Sequence, residues 1–271
     1  MASTTTTEGV VPWPTDLAAQ YREAGYWKDE LLTAPIWRMA ARRPDDIALV
    51  DGETRIGYAE MCRRADALGA RLRELGFETD DRVVVQLPNT WEFVIFTLGC
   101  LRAGIIPVMA LPAHRRHELE YLAEHSEAVA MVVPDILRDF DHQALAKAIR
   151  DAVPSVRDII VLGDAHADAI DLRGLCALPA DHEDPAATLD ALPISPDAVA
   201  LFLLSGGTKI EGQFENMIDM RDSPLACLTV AGRAIRMSDV AYKIVDAAEW
   251  LLTAGFVSGE TIHVEGGARS A

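Results

Sequence analysis

What the sequence is short of narrows it first. Its four cysteines, Cys62, Cys100, Cys176 and Cys227, contain no C-x-x-C pair. That removes the spacing of a zinc ribbon or a disulfide framework and leaves reduced thiols, as expected in a cytoplasm. No apolar run approaches the ~20 residues of a membrane helix; the two most apolar stretches, FVIFTLGCL and AGIIPVMALPA, are separated by Arg102. Positive charge is scarce, 25 Lys and Arg against 42 Asp and Glu, and the formal net charge is -17. Such a field repels nucleic-acid phosphates and anionic lipid, so an anionic ligand has to be held locally. The opening MASTTTTEGV has neither the basic nor the apolar segment of a signal peptide, and residues 1–12 read as a short disordered lead.

Catalytic signatures are missing too. There is no G-x-S-x-G elbow for a nucleophilic serine. HRRHELEYLAEH gathers His114, His117 and His125 among Glu118, Glu120 and Glu124, but it is neither H-E-x-x-H nor H-x-x-E-H. It reads as a solvated helix and not as a metal site. Gly207 and Gly212 have the glycine spacing of a Walker A loop, but Gln213 and Phe214 follow where Lys and Ser/Thr are required, which excludes a P-loop NTPase.

What is present is a folding composition, half hydrophobic and a quarter charged over 271 residues. Short β-rich runs alternate with longer amphipathic ones: IALV (47–50), RVVVQL (82–87), IIPVMA (105–110), AVAMVV (128–133), DIIVL (158–162) and AVALFLL (198–204). Several are apolar on both faces, as buried parallel strands are, so the expected fold is α/β, a layered parallel sheet with covering helices. Residues 58–76 carry Met61, Ala65, Leu68, Leu72 and Leu75 on one helical stripe that stops at Gly76. Residues 89–104 predict a buried helix opening on Asn89 with Glu92 as a capping box and closing on Gly104. The polar stretch from Gly163 to Asp197 reads as a long connection. A boundary near 208 separates this pattern from an aperiodic junction (208–237), followed by a helix capped by Ser238 and a short strand.

The strand at 198–204 runs into Ser205, Gly206, Gly207 and Thr208. Two hydroxyls around two glycines are what a loop needs to hold phosphate by its backbone N–H groups. An ordinary glycine turn after a buried strand has the same four residues.

Several segments taken together resemble one family. YREAGYWKDE (21–30), QLPNTWEFVIFTLGCLRAGIIPVMALPAHRRHE (86–118) and LFLLSGGT (201–208) are similar, in order and spacing, to the adenylate-forming aryl-acid ligases, most of all the 2,3-dihydroxybenzoate:AMP ligases of catechol siderophore assembly. The resemblance spans about residues 13–208 and implies a partial AMP-binding domain over 13–207. It also implies ATP and Mg2+ as cofactors, an aryl acid as substrate, and an aryl carrier protein as the acyl acceptor. A homodimer is left open beside a monomer. It further implies that Ser205, Gly206, Gly207 and Thr208 begin a loop of the form S-G-G-[ST]-T-G-x-P-K around the ATP phosphates. KIEGQFE stands where the rest of that loop would be, and AGRAIR (231–236) is similar to a hinge but lacks its acidic partners.

The last stretch resembles a second family. VDAAEWLLTAGFVSGETIHVEGG (245–267) is similar to the C-terminal end of short-chain dehydrogenases, which makes 238–271 a helix-and-strand tail of that kind. Their cofactor glycines and catalytic tyrosine motif are absent: no G-x-G-x-x-G occurs, and no tyrosine has Lys four positions on. The expectation is therefore a composite chain, nominally an aryl-acid adenylating enzyme and catalytically incomplete, with a non-catalytic scaffold and a dehydrogenase fragment as competing readings.

Overall fold

The computed structural model describes residues 14–180 and 182–203, together with the strand Ala234–Arg236. Two helices open it, α1 (Thr15–Glu23) and α2 (Ala34–Arg42), before an antiparallel pair, β1 (Ile47–Asp51) and β2 (Thr54–Gly57). Strand and helix then alternate: α3 (Tyr58–Glu74), β3 (Arg82–Val85), α4 (Trp91–Ala103), β4 (Ile106–Met109), α5 (Arg116–His125) and β5 (Ala130–Pro134). The short pair β6 (Ile136–Leu137) and β7 (Phe140–Asp141) leads into α6 (His142–Ala152) and β8 (Asp158–Leu162). After β9 (Ile170–Asp171), α7 (Leu172–Leu175) and α8 (Pro185–Asp190) come β10 (Val199–Leu203) and β11 (Ala234–Arg236).

The main sheet has the order β11-β10-β4-β3-β5-β8-β9. From β10 to β9 every pairing is parallel, and β11 adds to β10 antiparallel. Successive side chains of the central strands face opposite layers. Val83 and Val85 of β3 pack with Leu68, Leu72, Ile95 and Phe96 of α3 and α4, while Val84 packs with Leu119, Leu122 and Ile149 of α5 and α6. Both faces are covered, which is why these strands read as unbroken apolar runs.

The layer of α3 and α4 is close-packed through a glycine pair. A methyl group on Gly69 would lie 2.8 Å from the Gly99 carbonyl, and one on Gly99 would lie 2.9 Å from the Ala65 carbonyl. Gly104, at φ +73°, closes α4 in the left-handed conformation, as the sequence suggests.

Three expectations are corrected. IALV does form a strand, but it belongs to the separate two-stranded hairpin and not to the parallel sheet. The capping box on Asn89 does not form. The helix starts at Trp91, whose N–H donates to Asp51 Oδ2 at 3.1 Å, and Glu92 turns to Arg173 instead. A carboxylate from the hairpin thus does the work assigned to a local side chain. The stretch 163–197 is a structured return and not a bare connection: Asp171 caps α7, Asp184 caps α8, and Arg71 of α3 donates to the carbonyls of Leu175 and Ala177. Its short, Asp-capped turns leave no helical period to read.

HRRHELEYLAEH becomes the end of a loop and α5, whose outer face is solvated while Leu119, Leu122 and Ala123 are buried. Cys62, Cys100 and Cys176 are free and buried, and burial pushes the Cys62 thiol up to about 12. No helix among the described residues is long and apolar enough to cross a membrane.

A buried ionic brace joins four helices. Arg102 of α4 donates from Nε to Asp66 of α3 and from Nη2 to Asp190 of α8, each at 2.6 Å. Trp37 of α2 donates its indole N–H to the other Asp66 oxygen at 3.0 Å and lies under the Arg102 guanidinium, 5.1 Å from ring centroid to Cζ. Burial pushes the Asp66 carboxyl above its ordinary value, opposed by Arg102 and by the Trp37 N–H.

Candidate functional site

The order of the strands locates the site. From β3 the chain crosses through α4 on one face to β4. It then returns through α5 on the other face, past β3, to β5. Right-handed crossovers in opposite directions must use opposite faces, and the reversal opens a crevice at the carboxyl ends of the strands on either side of it. Here that crevice is bounded by the residues after β3, β4 and β5.

Gln86, directly after β3, is fully buried. Its Nε2 donates to the carbonyls of Leu111 and His114, both at 2.9 Å, so its amide nitrogen faces the loop that follows β4. Its Oε1 therefore faces His142 Nδ1 at 2.9 Å, and that nitrogen carries the proton. Burial pushes the His142 pKa below its ordinary value; the charge of Arg115 adds to this and Asp141 opposes it. The imidazole is consequently neutral at pH 7.

The loop from Leu111 to Arg115 is tied at several points. His114 Nδ1 accepts from the Leu111 N–H at 3.3 Å, and burial lowers the His114 pKa. Arg115 donates to the carbonyls of Pro112 and His114 and stacks 4.1 Å from the Phe140 ring centroid. Phe140 in turn meets His142 edge-on at 4.9 Å. After β5, Asp135 accepts from the N–H groups of Ile136 and Asp164, which lowers its pKa and joins the loops beyond β5 and β8.

This arrangement sets the rim of a crevice: the Gln86 amide, the His142 Nδ1–H and the Asp135 carboxylate are each bonded to other parts of the protein. Ser205, Gly206, Gly207 and Thr208 lie outside the described residues. Leu203, the last described residue before them, pairs with Met109 on β4, so β10 runs toward the same edge. Among the described residues no group of three His, Cys, Asp or Glu could hold a metal ion. His125 stacks on Tyr121, 9° from coplanar.

Sequence reasoning missed Gln86, His142 and Asp135. The available signal was slight: a single glutamine ending the apolar run RVVV, and a histidine 56 positions later in an unremarked polar stretch.

Comparison with known proteins identifies the family and the fold. The AMP-binding enzyme family matches residues 36–209. A salicylyl-CoA synthase / salicylate adenylyltransferase of Streptomyces sp is 51% identical over 207 residues, which is 75% of this chain and 37% of that protein. The 2,3-dihydroxybenzoate-AMP ligase of Bacillus subtilis (strain 168) is 37% identical over 201 residues, 74% of this chain and 35% of that protein. The apo structure of Mycobacterium smegmatis MbtA, 38% identical, superimposes with a TM-score of 0.69 over 89% of this chain and 40% of its own. The chain thus spans little more than a third of the length of the curated relatives it matches. On the match through the whole parallel sheet and on the shared fold, the chain belongs to the AMP-binding enzyme family.

Proposed function

We propose that this chain carries the amino-terminal part of an ATP-dependent aryl-acid adenylating enzyme, with 2,3-dihydroxybenzoate as the acid and an aryl carrier protein as the final acceptor. The observation that carries the proposal is the similarity to relatives named for salicylate and for 2,3-dihydroxybenzoate. In such a reaction the acid's carboxylate attacks the α-phosphate of ATP, pyrophosphate leaves, and the acyl group of the adenylate passes to a carrier thiol. ATP with Mg2+ supplies the activated phosphoryl group. Ser205, Gly206, Gly207 and Thr208 would hold phosphate oxygens by their hydroxyls and backbone N–H groups.

The same proposal includes catalytic incompleteness. Lys209, Ile210, Gly212 and Gln213 stand where the loop needs its second threonine, next glycine, proline and lysine, and the nearby carboxylates of Glu211 and Glu215 oppose a bound phosphate. Losing members of a group that acts as a unit collapses its effect. Acid-dependent ATP–pyrophosphate exchange by this chain is expected to fall roughly 1,000-fold or more below that of an intact relative. Exchange within tenfold of the relative overturns the incompleteness, and a preference for an aliphatic acid overturns the substrate class.

A second reading, a non-catalytic binding or scaffold protein, is favoured by the self-paired polar groups of the rim. It predicts a homodimer or a co-purifying partner; a monomeric mass with no partner counts against it. The tail at 238–271 is proposed as the end of a short-chain dehydrogenase joined near 208, and it lies outside the described residues. It does not supply NAD(P) chemistry, so a fluorescence titration with NADH should show no binding.

A further inference from the structure

We propose that His114 is an acid-released latch on the rim of the crevice: its neutral ring fastens the turn Leu111–His114, and a proton on that ring lets Leu111 go. The turn follows β4 and is closed from both directions. The His114 N–H donates to the Leu111 carbonyl at 2.9 Å, and the Leu111 N–H donates back to His114 Nδ1 at 3.3 Å. A ring nitrogen that accepts carries no proton, so the proton of the neutral ring sits on Nε2. The Leu111 N–H has no other acceptor among the described residues.

Protonation reverses the role of one atom. An imidazolium has an N–H at both nitrogens, so Nδ1 becomes a donor facing a donor and the bond is lost outright. The rest of the turn does not depend on this proton. Gln86 Nε2 still holds the carbonyls of Leu111 and His114, and the His114 N–H keeps its acceptor. Release is therefore confined to the outer limb, where Leu111 is 57% exposed.

The groups around the ring decide when this happens. Burial disfavours the imidazolium and outweighs Glu118 of α5, which favours it, so His114 is neutral at pH 7 and takes its proton only as pH falls below about 6.5. Glu118 stays ionised over that range, because the Arg115 N–H holds its carboxyl below the ordinary value. Arg115 lies over Phe140 and donates to backbone carbonyls, while His117 is exposed on the first turn of α5. From β3 and α6 the nearest polar groups are Gln86 and His142. His142 already donates from Nδ1 and keeps that bond when Nε2 is protonated, so the latch belongs to His114 alone.

NMR on the full chain tests this. Exchange of the Leu111 amide, corrected for its intrinsic pH dependence, is followed with the His114 ring nitrogens between about pH 7.5 and 5. Protection at Leu111 should fall about fivefold, with the midpoint of the His114 titration, while the amides of α3 stay protected. His114→Asn places an amide oxygen where Nδ1 stands and cannot titrate, so Leu111 should stay protected throughout. His114→Gln carries its amide out to the Nε2 position and should leave Leu111 unprotected at every pH. The proposal is overturned if Leu111 protection ignores the His114 titration, if the Asn variant fails to hold Leu111 in acid, or if the Gln variant is latched at neutral pH.

Discussion

The network around Gln86 is neutral and joins loops, whereas the network around Arg102 is ionic and joins helices. Gln86 holds three partners through one uncharged amide, and all of them lie at the carboxyl edge of the sheet. Arg102 holds Asp66 and Asp190 and covers Trp37, fastening α2, α3, α4 and α8 behind the sheet. The difference teaches where each kind of bond is useful. A buried amide fixes a loop without the cost of desolvating a charge. A buried ion pair is expensive to form but very costly to leave half-made, so it specifies which helices must meet.

Breaking the ionic network should have the largest effect. Asp66→Ala leaves a nearly buried guanidinium with one partner and an indole N–H with none, and should cost about 3–5 kcal/mol in urea unfolding. Replacing both partners with apolar residues, Asp66→Leu with Arg102→Met, should recover most of that loss. If the double variant is as unstable as the single one, the brace stabilises by more than avoiding an unpaired charge.

The neutral network comes next. Gln86→Leu strands two carbonyls and the His142 N–H, and should cost about 2–4 kcal/mol. Because the loss falls on loops, hydrogen exchange at 111–115 should rise more than exchange in α3. Equal acceleration in both would erase the distinction between the networks.

A smaller effect separates the two by pH. The His142 and His114 pKa values are lowered in the folded protein, so the unfolded chain takes up their protons first as pH falls below about 6.5. Stability is then fully present above that pH and is lost on acidification, by at most about 1.4 kcal/mol per pH unit for each proton. Melting temperatures between pH 7.5 and 5.5 should fall, and His142→Gln should flatten part of the slope. The smallest effect belongs to Asp190→Asn. Its carboxylate is 67% exposed, and the change should cost under about 1 kcal/mol while Asp66 stays in place.

How much of this was legible follows from how far apart the partners are. The parallel strands appear within a few residues of their apolar runs, and α3 begins at Tyr58 as its stripe predicts. The stripe overreached at its end, since Leu75 is 46% exposed beyond the last turn. The start of α4 was misread because its cap, Asp51, lies 40 positions away on a hairpin. Gln86 and His142 could not be paired from the text at all, as nothing local in either segment refers to the other.

The sequence by itself determined the alternation of strand and helix, the stops at Gly76 and Gly104, and the family through its ordered segments. These are properties of short windows, where backbone preference and apolar spacing act before any distant contact exists. Only the tertiary structure decided that IALV stands apart from the sheet, that Asp51 starts α4, and that Gln86 and Arg102 each organise a buried network. A buried donor takes whichever acceptor the folded chain brings within about 3 Å, and that depends on the crossing of layers.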